Sequence, residues 1–224
     1  EGIEFSFVQV PYHICKYETG LPPGIKDYSA TIEDTFLLGM EMSDIPHMDL
    51  REVLHNAGIN HEEAYFKTDH HWKIETAFWA YGIMVDFLEE KLSVEIPEKY
   101  TNPDSFTWET FEDYWLGSNG RRTGIAYAGL DDLTLIYPKF PTNLKFEAKE
   151  KNIYREGSFQ ESYMDYEQLE GDNLYEMQQY DVYIGKDYPT TTQINENAPS
   201  DKKILLIKDS YFRPVSAFLG LAFS

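Results

Sequence analysis

Three segments of this sequence carry side chains whose types and spacing could do chemistry. Tyr65-Phe66-Lys67-Thr68-Asp69-His70-His71-Trp72 sets a carboxylate two residues ahead of an imidazole, and Lys208-Asp209-Ser210-Tyr211-Phe212 sets a serine directly after an apolar run. A serine hydroxyl is a poor nucleophile at neutral pH. It needs a base within about 2.6–3.2 Å and a carboxylate that fixes the tautomer of that base. His71 and Asp69 are the candidates for those two roles, and Ser210 for the nucleophile. Trp115-Leu116-Gly117-Ser118-Asn119-Gly120-Arg121-Arg122-Thr123-Gly124 is rich in glycine and polar donors. Gly117 would let backbone approach a substrate there, and Ser118, Asn119 and Arg121 could donate to an oxyanion or a substrate oxygen.

Each of these residues also has a plainer reading. Asp69 could cap the helix that begins near Lys73, His71 could be a satisfied histidine at a helix start, and Trp72 is core. Glycines at 117 and 120 could simply serve turns, and Asp209 is a turn-former beside the serine. His61, His70 and His71 with Glu62, Glu63 and Glu75 could ligate zinc, although no H-E-x-x-H spacing occurs. The pairing of Asp69-x-His71 with a serine on an exposed turn favours nucleophilic chemistry over these alternatives.

The elements that would position the groups can be read from periodicity. Ile74, Ala77, Phe78, Tyr81, Val85 and Leu88 form one stripe, so a helix is expected over about 73–91, directly after Trp72. A shorter amphipathic helix is expected from Thr31, with Ile32, Phe36 and Met40 on its apolar side and Ser29 or Thr31 as N-cap. Phe5–Val10, Leu133–Tyr137 and Asp181–Ile184 read as strands. Lys203-Ile204-Leu205-Leu206-Ile207-Lys208 has the unbroken apolar centre of a strand covered on both faces, which favours a parallel α/β sheet. A serine leaving such a strand for a helix, with Pro214 in the first helical turn, would stand exposed with its own N–H facing a developing oxyanion.

The chain has 224 residues, 42% of them hydrophobic, enough for one sizeable core, so a single domain over 1–224 with an inserted strand and loop region at about 101–180 is expected. The formal charge is −20, from 39 acidic and 19 basic residues, which argues against nucleic acid or anionic lipid as partners. No apolar run approaches the length needed to span a bilayer. The lone Cys15 cannot form an internal disulfide and reads as a small buried side chain. Seventeen tyrosines and 4 tryptophans would suit stacking on sugar rings, although most such residues build core.

The sequence around Asp69-His70-His71-Trp72, with Lys67-Thr68 before it and the amphipathic helix after it, resembles the DHHW family of extracellular bacterial proteins. The similarity extends to Ser210, Pro214 and Phe218-Leu219, and to the Gly117-Ser118 segment with its nearby arginine. The resemblance implies a flavodoxin-like, three-layer α/β/α core of the SGNH type. Its Asp, His, Ser order is permuted, as in the related alginate acetylation enzymes. It further implies a serine esterase or O-acyltransferase with Asp69, His71 and Ser210 as triad. Such an enzyme would act on acyl groups of cell-surface polysaccharide and need no metal or organic cofactor. His70, which stands where those relatives have threonine, receives no role. The family resemblance places the protein outside the cell or at its surface and implies that the family's fold continues beyond Ser224; separately, the strand-like Phe5–Val10 almost at the chain's start suggests an upstream piece such as an export signal. A non-catalytic envelope module that binds carbohydrate through aromatic surfaces is the rival expectation, favoured if Ser210 and His71 lie far apart.

Overall fold

The computed structural model describes residues 2–18 and 20–224. The chain divides into two compact units, 1–65 and 66–224.

The first unit contains strand β1 (Phe7–Gln9), helix α1 (Ser29–Met42), strand β2 (His47–Asp49) and helix α2 (Leu50–Asn56). β1 and β2 pair in parallel, with Val8 opposite Met48. α1 forms where expected, yet it is anchored differently: Ser29 is already helical, and its N–H and hydroxyl both donate to Asp27. Its expected apolar stripe is largely uncovered. Leu37 is buried, whereas Ile32 and Phe36 are exposed. At the start of α2, Asp49 accepts from the Arg51 N–H, and the buried Arg51 guanidinium spans Asp49, Glu33 and Asp34 at 2.7 Å each. A single guanidinium thereby gathers three carboxylates that would otherwise repel one another in this acidic chain. Cys15 is half-buried and unpaired.

The second unit opens on an irregular loop and helix α3 (Ile74–Leu92). A two-stranded antiparallel sheet comes next, built from β3 (Phe106–Trp115) and β4 (Asp131–Pro138), with short helices α4 (Ser118–Thr123) and α5 (Ile125–Ala128) between the strands. A three-stranded antiparallel sheet in the order β6-β5-β7 combines β5 (Leu144–Ala148), β6 (Ile153–Gly157) and β7 (Thr192–Ile194). Helix α6 (Phe159–Tyr163) leaves β6 through a capping box, Ser158 with Glu161, and helix α7 (Arg213–Ala222) closes the chain. The core centres on α7. Phe218 meets Phe78 of α3 edge-on at 5.2 Å, stacks with Phe159 of α6 at 5.8 Å, and contacts Tyr183 at 5.5 Å. Elements distant in sequence thus share one aromatic residue that comes eight positions after Ser210.

The class is mixed α/β, as the sequence implied, and both the long helix and the Leu133–Tyr137 strand are present. Two strands expected from composition are absent. Asp181–Ile184 instead enters a 3-10 turn (Gln179–Val182) and makes a single bridge, Met164 to Tyr183. Lys203–Lys208 has no regular secondary structure and joins no strand, and Leu205 and Ile207 are 89% and 90% exposed. Its apolar composition meets the demand of a doubly covered strand, but strand status also requires neighbours that supply hydrogen bonds, and none does so here. Among the described residues, parallel strand pairing is confined to β1 and β2. No helix is long and apolar enough to cross a membrane among the described residues.

Candidate active site

The Thr68–Trp72 turn is held on every side before it reaches α3. The Asp131 carboxylate, at the head of β4, accepts the N–H groups of Lys67 and Thr68 at 2.9 and 2.7 Å. The Thr68 hydroxyl accepts from the Gly117 N–H at 2.8 Å, and the Thr68 carbonyl accepts from the Gly120 N–H at 2.8 Å. Thr68 is fully buried, so each of these polar groups needs the partner it has.

Asp69 is also buried, and its carboxylate faces three donors. Oδ1 accepts from the His71 N–H at 3.0 Å and from His71 Nδ1 at 2.5 Å, while Oδ2 accepts from the Ser118 N–H at 2.6 Å. Burial works against the charged form of Asp69. Hydrogen bonds and charge from His71, together with the Ser118 and His71 amides, outweigh that cost and hold its pKa far below the ordinary value of 3.8. The carboxylate is therefore ionised across the physiological range, and α3 begins after Lys73 with no side-chain cap, so Asp69 is not a helix cap.

An ionised carboxylate can only accept, which places the proton of neutral His71 on Nδ1 and leaves the Nε2 lone pair free. Ser210 Oγ lies 2.8 Å from that nitrogen. Ser210 begins a 3-10 turn (Ser210–Phe212) that runs directly into α7, with Pro214 in the first helical turn. Asp209 sets the turn: its carboxylate accepts from the Tyr211 N–H at 3.0 Å. The Tyr211 carbonyl accepts from Trp72 Nε1 at 2.8 Å and from the Tyr180 hydroxyl at 3.0 Å. Trp72 is thus fully buried core, as expected, and also ties the histidine loop to the serine turn.

The third predicted segment is divided. Gly117 and Ser118 stand beside Thr68 and Asp69, and their N–H groups donate to the Thr68 hydroxyl and the Asp69 carboxylate rather than facing a free oxyanion position. A Cβ on Gly117 would fall 2.2 Å from the Asp69 Cβ, so glycine is needed here for close approach to the carboxylate, not to a substrate. The Ser118 hydroxyl meets His70 Nδ1 at 3.0 Å. Asn119 is exposed and does not line the cavity at Ser210, whereas Arg121 does, with its guanidinium donating to the Met177 carbonyl and Gln178 Oε1. The Ser210 N–H finds no acceptor among the described residues.

That cavity holds about 300 Å³, with Ser210, His71, Arg121, Tyr180 and Arg213 among its walls. Arg213 is buried and paired with Asp181 and, at 2.5 Å, with Asp187. Asp131, Tyr180, Asp181 and Arg213 were not singled out by sequence reasoning. An aspartate at a strand start and a tyrosine in an irregular acidic stretch carry no local signal of such roles. Asp69, His70 and His71 also bring potential metal-ligating atoms within 4.8 Å of one another. His71 Nδ1 and His70 Nδ1 already bond to Asp69 and Ser118. His61, the other histidine considered for a metal, bonds through Nε2 to the His13 carbonyl.

Comparison with solved structures places this arrangement on a known fold. Bacillus cereus PatB1 is 20% identical with a TM-score of 0.75, over 99% of this chain and 72% of that one. The same protein with a sulfonyl adduct gives a TM-score of 0.74 at 20% identity, over 99% and 70% of the two chains. A DHHW family protein from Eubacterium siraeum gives a TM-score of 0.68 at 17% identity, over 100% of this chain and 68% of its own. The chain shares its fold with a DHHW family protein. No family model and no curated protein sequence matches it. The fold implied by the Asp69–Trp72 resemblance is therefore found in three dimensions at low sequence identity.

Proposed function

We propose that this chain is a serine-dependent acyl-transfer enzyme of the SGNH type, with Ser210 as nucleophile, His71 as general base and acid, and Asp69 as the carboxylate that orients the base and stabilises its protonated form. The observation that carries this reading is the continuous line from Asp69 Oδ1 through His71 to Ser210 Oγ, at 2.5 and 2.8 Å. Ser210 Oγ attacks an ester carbonyl as His71 Nε2 takes its proton, and the Ser210 N–H is available to the developing oxyanion. Collapse breaks the ester C–O bond, His71 returns the proton to the departing alcohol, and an acyl-serine remains. Water as second acceptor gives hydrolysis, and a sugar hydroxyl gives O-acyl transfer. Acetyl groups of cell-envelope polysaccharide are the proposed cargo and an extracellular or cell-surface position the proposed location, with residues 101–180 an insertion in a single SGNH-like domain. The chemistry proceeds through protein groups alone.

A wide separation of Ser210 and His71 would favour the non-catalytic alternative, and their 2.8 Å approach supports the catalytic reading instead. The test is hydrolysis of an acetyl ester by the wild type and Ser210→Ala, with mass spectrometry for an acyl adduct. The expected result is an acetyl mass on the Ser210 peptide of the wild type and loss of turnover in the variant. Equal rates in the two proteins would rule out Ser210 as the nucleophile.

A further inference from the structure

Tyr180 is in contact with the His71 ring and with the turn that carries Ser210. Its ring stacks on the His71 imidazole with centroids 4.0 Å apart and planes 19° from parallel. Its hydroxyl donates to the Tyr211 carbonyl, in the residue directly after the serine. The side chain is 3% exposed and is itself braced by Trp115 at 5.6 Å and, edge-on, by Phe66 at 6.5 Å. Burial raises the phenol pKa well above its ordinary 10, so the hydroxyl stays protonated and remains a donor throughout the working range. Stacking fixes the rotation of the imidazole about its Asp69 hydrogen bond and offers a π face to the imidazolium formed when Ser210 gives up its proton. The hydroxyl fixes the turn from which Oγ projects, and Trp72 Nε1 supports the same carbonyl from the adjoining loop.

From this double contact we infer that Tyr180 is a positioning residue that sets the distance and angle between His71 Nε2 and Ser210 Oγ. The inference rests on the acyl-transfer reading of Asp69, His71 and Ser210. A displacement of about 1 Å in such a pair is enough to cost on the order of a hundredfold in rate.

The experiment uses phenylmethanesulfonyl fluoride, whose sulfur forms a bond to Ser210 Oγ as fluoride departs and His71 takes the hydroxyl proton. The wild type, Tyr180→Phe and Tyr180→Leu are compared by the inactivation rate constant and the half-saturating concentration. Proton NMR of the His71 ring is recorded alongside. Tyr180→Phe keeps the stacked ring and loses the hydroxyl; it should lower the rate constant about tenfold, leave half-saturation unchanged and preserve the ring-current shift of the His71 ring protons. Tyr180→Leu should lower the rate constant about a hundredfold and abolish that ring-current shift. An unchanged rate constant in Tyr180→Phe, an effect carried entirely by half-saturation, or unaltered His71 resonances in Tyr180→Leu would overturn the inference. A wild type that resists the reagent while its His71 resonances still respond to Tyr180→Leu would defeat the acyl-transfer reading and leave the contact between Tyr180 and His71 standing. Should Tyr180→Leu fail to fold, Tyr180→Phe alone decides through its rate constant.

Discussion

The two segments that bring Asp69, His71 and Ser210 together are built in opposite ways. Thr68–Trp72 is buried, and its polar groups are engaged by Asp131, Gly117, Ser118 and Gly120. The residues leading to Ser210, from Asp201 to Asp209, have no regular secondary structure and are mostly exposed, and no backbone ladder holds them. Yet both segments end with atoms placed 2.8 Å apart. His71 is held by its own surroundings, whereas Ser210 is held mainly from its C-terminal side: by the Tyr211 carbonyl with its two donors, then by α7 seated in the core through Phe218. Asp209, which accepts from the Tyr211 N–H, is the contribution from the other flank.

The largest expected effect breaks the well-held side. Asp69→Asn keeps the shape but removes the charge and the tautomer control, and should lower acetyl-ester turnover about 10³- to 10⁴-fold, measured as kcat on the purified variant. The same residue links stability to acid. Its carboxyl is held below the unfolded value, so its contribution is complete above the unfolded pKa near 4 and is lost as pH falls through the folded value. Urea midpoints recorded from pH 6 to pH 3 should fall for the wild type, and fall less steeply for Asp69→Asn. A steeper fall in the variant would contradict the charge assignment.

On the other side, Phe218→Ala removes the ring that seats α7 and should cost about 3–5 kcal/mol in urea denaturation. A loss under 1 kcal/mol would mean that α7 is not what fixes the serine. Gly117→Ala sharpens the contrast by adding one methyl group against Asp69; about 1–3 kcal/mol of destabilisation is expected, and turnover should fall further than the folded fraction does. The smallest effect belongs to the approach to Ser210. Leu205→Ser and Ile207→Ser should change stability by less than about 0.5 kcal/mol, because both side chains already stand in solvent. A cost of 2 kcal/mol or more, near that of a core residue, would show that this segment is covered in solution.

Local chemistry was legible where one short stretch carried the signal. Asp69 and His71 are two residues apart, so their contact needs only a turn, and the stripe from Ile74 to Leu88 specified α3 before any packing was known. The same reasoning read Lys203–Lys208 as a buried strand because composition reports what a segment could bury, not whether neighbours arrive to cover it. It also offered Gly117 for close approach to a substrate and Ser118 as a donor to it, while the structure engages the N–H groups of both within the protein. Their engagement by Thr68 and Asp69 joins positions 49 apart in each case, and no spacing rule reaches that far.

The sequence by itself determined the reactive groups, the order in which they occur and the helices that flank them, since side-chain type and helical period are properties of adjacent residues. Tertiary structure alone decided that Ser210 meets His71, that Asp131 and Tyr180 support the meeting, and that α7 rather than a strand holds the nucleophile. Those outcomes depend on which distant surfaces exclude water together, and burial of that kind is settled by the whole chain at once.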